Sequence, residues 1–160
     1  NYIQAISDTQ TVAAAGYAGH WGWFFPGAVI DLWGLNNRHI AHFGTYQKFG
    51  ELDSRSDMAY VFSQQPDLVN LDIDPADITG HTCPKVIIES GRSKSFRDAL
   101  SVKQFRDDYY FVVNAPYLNF RKALFVHRRY LSSLQQRAPS TPELIRVTQT
   151  SLFTACPAQF

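Results

Sequence analysis

Asp31, His39 and His42 are the first residues whose types and spacing could do chemistry. Asp31 closes the apolar run Ala28-Val29-Ile30 and so puts a carboxylate at the end of a strand, where open α/β sheets hold their ligands. It has a structural reading too, as the side chain that ties the turn Leu32-Trp33-Gly34-Leu35. His39 and His42 stand at i and i+3 and share a face of any helix that carries them. Two imidazoles at that spacing suit a metal, but no third ligand follows in the HExxH manner, and no metal is expected. Asp72, Asp74 and Asp77 lack the glycine and terminal Glu of an EF-hand loop, and Pro75 intervenes. Asp107 and Asp108 are adjacent; on a strand they face opposite sides and cannot act as a glycosidase pair. Arg128, Arg129 and Arg137 read as a solvated face, with a phosphate or anionic-lipid contact as the alternative.

The motifs of independent catalysis are missing from the sequence. It has no GxSxG, no cysteine-nucleophile signature, no GxGxxG and no GxxxxGK[ST]. No cofactor is expected. Aromatic residues make up 14% of the chain and cluster in His20-Trp21-Gly22-Trp23-Phe24-Phe25-Pro26. That stretch reads either as a lid over the core or as a docking face. Trp21 and Trp23 would then meet a membrane interface or stack on a sugar ring.

The elements that must position these residues alternate between short apolar runs and capped helices. Strands are expected at Thr11–Ala15, Ala28–Leu32 and Leu68–Leu71, and further candidates at Lys85–Glu89, Tyr109–Asn114 and Lys122–Arg129. Asn36 or Asn37 caps a helix from about Arg38, and Ser56 or Asp57 caps one from Met58 to Gln65, which Pro66 stops. Shorter helices are expected near Phe96–Leu100 and Leu131–Arg137, and Glu143–Phe153 reads as a helix or terminal strand. Phe43 to Arg55 reads as a polar loop, and Phe105–Asp108 as a lead-in to the strand after it. The fold class is therefore α/β: a single domain over residues 1–160 with a mixed sheet. Its N-terminal part is parallel, helices flank it, and Tyr109–Arg129 adds an antiparallel hairpin.

Composition bounds the rest. The 160 residues carry 15 basic and 14 acidic side chains, a net charge of +1, which points away from nucleic acid as a partner. No run of apolar residues is long enough to span a bilayer. Cys83 and Cys156 are the only cysteines and have no CxxC spacing. They either pair, stabilising the fold by about 4 kcal/mol through a long loop, or stay separate buried thiols.

One combination of residues carries a resemblance. Ala15-Gly16, Val29-Ile30-Asp31, Gly34-Leu35, His39-Ile40-Ala41, Tyr60-Val61 and Pro66-Asp67-Leu68-Val69 lie within roughly the first 70 residues. Together they resemble the extracytoplasmic C-terminal part of bacterial multi-pass membrane glycosyltransferases. These use polyprenyl-phosphate sugars, and arabinosyltransferase-like proteins are among them. The resemblance implies a piece of a larger membrane protein, held on the periplasmic side by preceding spans. Its partner would be the membrane-embedded portion of the same chain, which carries the catalytic acid in that family. It implies a non-catalytic domain that binds an acceptor glycan or polyprenyl-linked sugar, or shapes the membrane active site. On this reading Asp31, His39, Trp21 and Trp23 are the ligand-binding candidates. The alternatives are a stand-alone binding or scaffold domain and a small independent enzyme.

Overall fold

The computed structural model describes residues 2–49, 52–72, 94–112, 122–138 and 144–146. Along the chain they form α1 (Tyr2–Ile6), β1 (Val12–Ala15), α2 (Ala18–Phe24), β2 (Ala28–Asp31) and α3 (Arg38–Phe43). Next come β3 (Thr45–Phe49), β4 (Leu52–Ser56), α4 (Met58–Ser63) and β5 (Leu68–Asp72). The second half holds α5 (Lys94–Ser101), α6 (Lys103–Asp108), β6 (Tyr109–Val112) and β7 (Lys122–His127). A 3-10 turn (Arg128–Tyr130), α7 (Leu131–Arg137) and β8 (Leu144–Arg146) follow.

Six strands make one mixed sheet in the order β2-β1-β5-β7-β6-β8. β1 runs parallel to β2, with Ala15 opposite Asp31, and parallel to β5, with Ala13 opposite Leu68. β7 lies antiparallel to β5 and to β6, and β8 adds antiparallel to β6. The fold is thus α/β with a parallel N-terminal part and an antiparallel C-terminal part, as the alternation of runs and caps implies.

Side chains alternate across each strand, so both faces of the sheet must be covered. One face buries Ala14, Val69, Leu71 and Phe125 against Ile40 of α3, Val61 and Phe62 of α4, Phe96 of α5 and Phe105 of α6. The other buries Ala13, Leu68, Leu124 and Val126 against Ile3 and Ile6 of α1, Phe25, Tyr130 and Leu134 of α7. The small side chains of Ala13, Ala14 and Ala15, all fully buried, fit a strand covered on both sides.

Local chemistry sets the helix ends. Asn37 Oδ1 accepts the Ile40 N–H at 3.0 Å and starts α3. Asp57 Oδ1 accepts the Tyr60 N–H at 2.9 Å and starts α4, whose Met58, Val61 and Phe62 fall on one face. Gln65 then turns the chain with φ 49° immediately before Pro66.

Gly27 sits under the start of β2, where a Cβ would lie 1.9 Å from the Thr11 carbonyl oxygen. That same oxygen accepts the Ala28 N–H, so a side chain there would obstruct the β1–β2 pairing.

Two sequence-based expectations are corrected. Thr45–Phe49 and Leu52–Ser56 are not a polar loop but an antiparallel pair, a separate two-stranded sheet with Thr45 opposite Ser56 and Tyr46 opposite Arg55. Their polarity fits a ribbon that stands outside the main sheet and exposes Thr45 and Tyr46. Phe105–Asp108 is not a lead-in to β6 but part of α6, fixed by burial of Phe105. Lys122–His127 is strand as expected, but Arg128 and Arg129 belong to the 3-10 turn. Leu144–Arg146 takes the strand option for the C-terminal stretch. The strand candidate Lys85–Glu89, together with Cys83 and Cys156, lies outside the described residues.

A polar network ties the start of the sheet together. Asp67 is buried; its Oδ2 accepts the Val12 N–H and its Oδ1 accepts Arg129 Nε, both at 2.9 Å. Arg129 also donates to Gln65, and its own N–H donates to His127 Nδ1 at 3.1 Å. That bond leaves the His127 proton on Nε2. Among the described residues, this buried Nε2 has no hydrogen-bond partner. Burial, with the Arg129 charge adding to it, lowers the His127 pKa below its ordinary value. The unfolded chain therefore takes up this proton first as pH falls. The stability that His127 contributes is full above about pH 6.5 and lost as pH drops below it. His127→Asn keeps an acceptor for the Arg129 N–H. Urea midpoints measured from pH 7.5 down to 5 should fall less steeply in this variant than in the parent.

Candidate functional site

The segment from Asp31 to Tyr60 builds a single local unit at the C-terminal end of β2. Asp31 is buried, and its two carboxylate oxygens accept the N–H groups of Trp33 (2.9 Å) and Asn36 (2.7 Å). Its carboxylate thus shapes the loop that leads into α3. Gly34 takes φ 76° in that loop, and a Cβ there would lie 2.8 Å from Ile40 Cγ2. The loop therefore presses directly onto α3. The Trp33 carbonyl accepts the Arg55 N–H at 3.2 Å and docks the β3–β4 ribbon on the same loop.

His39 is half-buried on α3. Its Nε2 lies 3.1 Å from Asp57 Oδ2, and its ring stacks on Tyr60 at 3.8 Å between centroids. Phe43, one turn further, lies 5.2 Å from the His39 ring and is 76% exposed. Asp57 thus does two jobs: one oxygen caps α4 and the other fixes the imidazole. Among the described residues, no group of three side chains is placed to hold a metal ion.

The β3–β4 ribbon separates two clefts. Thr45 and Ser56 line one cleft, and Tyr46, Ser54 and Arg55 line the other. The first, of about 450 Å³, lies among Phe43, Thr45, Ser56, Asp57 and Met58 on one side and Asp98, Ser101 and Val102 of the α5 end on the other. The second, of about 300 Å³, lies among Trp33, Gly34, Leu35, Ala41, Tyr46 and Arg55. Leu35 at its rim is 74% exposed.

Trp21 and Trp23 lie elsewhere, on α2. α2 buries none of its residues. Trp21 leans on Phe25 at 5.6 Å and packs against the α1/α7 face of the sheet, opposite the face that holds α3. Trp23 is 82% exposed. The structure therefore gathers His39 and the Asp31 loop into one unit and leaves Trp21 on the other face. Trp23→Ser is expected to change unfolding stability by no more than about 0.5 kcal/mol in a urea titration.

Sequence reasoning did not single out Phe43, Thr45, Ser56, Asp98 or Ser101 as lining residues. The first cleft depends on a ribbon whose strands are short and polar, and on α5 arriving from some 40 positions later. The available signal was Asp57, legible as a cap, together with the i, i+4 pair His39 and Phe43.

Residues 1–136 match the model of a family described as a domain of unknown function, DUF8728. No curated protein matches the chain, and no solved structure does.

Proposed function

The chain belongs to the DUF8728 family, and we propose that it serves as a non-catalytic extracytoplasmic domain of a membrane glycosyltransferase, binding acceptor glycan beside the membrane-embedded active site. One observation carries the reading. Those residues of the resemblance that lie between Asp31 and Tyr60 meet in space: Asp31 folds the Gly34-Leu35 loop, Ile40 packs beneath Gly34, and His39 stacks on Tyr60. That unit borders two clefts and carries exposed apolar side chains at Leu35, Phe43 and Tyr46. A motif needed only for packing would have little reason to place such groups at cleft rims.

The test uses membranes that carry the full-length protein and a polyprenyl-phosphate sugar donor. The parent reading frame should encode several apolar spans before Asn1. Deleting residues 1–136 should abolish transfer to the acceptor, and the 160-residue chain alone should transfer none. Transfer by the isolated chain, or a parent frame without apolar spans, would sink the proposal.

A further inference from the structure

We infer that the second cleft, bounded by the Gly34 loop, α3 and the β3–β4 ribbon, takes a sugar ring that carries an oxyanion, either a phosphate ester or a carboxylate. The inference deepens the acceptor-binding reading of the preceding section and rests on it. The cleft offers a ring an apolar seat. Tyr46 and Leu35, both exposed, stand at its rim, and half-buried Trp33 lies behind them. The volume, about 300 Å³, is at the lower end of small-ligand sites and suits one ring with its anionic group.

The arginines decide the class of ligand. Elsewhere in the fold Arg128, Arg129 and Arg137 pair with the carboxylates of Asp108, Asp67 and Asp8. Arg55, which lines this cleft, and Arg38 do not: among the described residues, neither meets an Asp or Glu side chain. Arg55 is exposed, and its Nη1 donates to the Gly44 carbonyl at 3.1 Å. That bond orients the guanidinium but leaves it further N–H donors, and a neutral carbonyl does not cancel its charge. Arg38 is exposed on α3, at i to the i+3 of Ala41, so it shares the face that Ala41 turns to the cleft. The described residues that line the cleft include no Asp or Glu. Asp31 is not among them; its two oxygens bond the Trp33 and Asn36 N–H groups within the loop. An oxyanion on the sugar would therefore meet unneutralised guanidinium, which can hold a phosphate or a carboxylate through paired N–H groups.

The test titrates the 160-residue chain by amide NMR with glucose 1-phosphate, glucuronate, glucose and inorganic phosphate. Glucose 1-phosphate or glucuronate should shift the amides of Gly34, Leu35, Tyr46 and Arg55, and should bind at least about tenfold more tightly than glucose or inorganic phosphate. The tighter of the two anionic sugars identifies the oxyanion. Arg55→Gln should weaken the anionic sugar about tenfold and leave glucose unchanged. Arg38→Gln should weaken it about threefold; this side chain is exposed, so the fold is kept whatever Arg55→Gln does to the Gly44 contact. Glucose binding at these amides as tightly as both anionic sugars would overturn the inference and leave acceptor binding standing. Inorganic phosphate matching the anionic sugars would overturn it too, because the ring would then count for nothing. Shifts confined to another surface, or unchanged affinity in both variants, would overturn the cleft. No shift with either anionic sugar up to its solubility limit would overturn the inference; the acceptor-binding reading then stands or falls by the deletion experiment, which does not depend on the charge of the sugar.

Discussion

Phe105→Ala is expected to lower unfolding stability by about 3–5 kcal/mol, among the largest losses available to a single truncation in this chain. Phe105 is fully buried. Its ring lies 4.8 Å from Phe62, 5.0 Å from Phe125, 5.5 Å from Tyr109 and 6.4 Å from Phe96. It thus joins α4, α5, α6, β6 and β7 in one aromatic cluster. The neighbouring rings are themselves buried and cannot all collapse into the space left behind, so the cavity persists. Phe105→Leu, which keeps much of the volume, should recover most of the loss. Urea unfolding of both variants measures it; a loss below about 1 kcal/mol for the alanine would show that the cluster is not close-packed.

Asp31→Ala should cost about 2–4 kcal/mol, because it removes two hydrogen bonds to a charged acceptor and leaves the Trp33 and Asn36 N–H groups unpaired. The loop so loosened holds both α3 and the β3–β4 ribbon, so the first cleft should widen with it. The binding idea attached to Asp31 at the sequence level makes a different forecast: full stability with ligand affinity lost. Measuring stability and sugar affinity on the same variant separates the two. A stable fold with lost affinity would mean that Asp31 touches ligand directly. Lost stability, with affinity weakened only as far as the fold is perturbed, would leave it a residue that shapes the loop.

The parallel strands were legible because β1, β2 and β5 are short apolar runs, and Asn37 and Asp57 announce helices by their capping side chains. The β3–β4 ribbon was not, because TYQKF and LDSRS show neither alternation nor an Asn-Gly turn. It is held by cross-strand pairing and by the Trp33 carbonyl, neither of which leaves a pattern along the chain. The Asp67–Arg129–His127 network escaped for a related reason. Its partners lie 62 positions apart, and only the antiparallel return of β7 beside β5 brings them together. Asp31 and His39 stood out in the sequence as ligand-binding candidates, and in the fold they bond to the Trp33 and Asn36 N–H groups and to Asp57. Whether a carboxylate caps a turn or meets a ligand depends on where the next five N–H groups point, and spacing does not encode that.

The central position of β5 has a consequence for synthesis. Its inner edge pairs with β1 as soon as the first 72 residues are available. Its outer edge is filled by β7, whose residues begin only at Lys122. The bonds from the Tyr130 hydroxyl to Thr11 and the Ile6 carbonyl span 119 and 124 positions and form later still. A nascent chain therefore passes through a stage in which three parallel strands end in a bare apolar edge, a ready template for pairing with another copy. Contacts of such sequence separation also make closure slow. Truncated products that stop between residues 72 and 122 should aggregate rather than persist as folded fragments. The intact domain needs its edge shielded until the last antiparallel strands arrive.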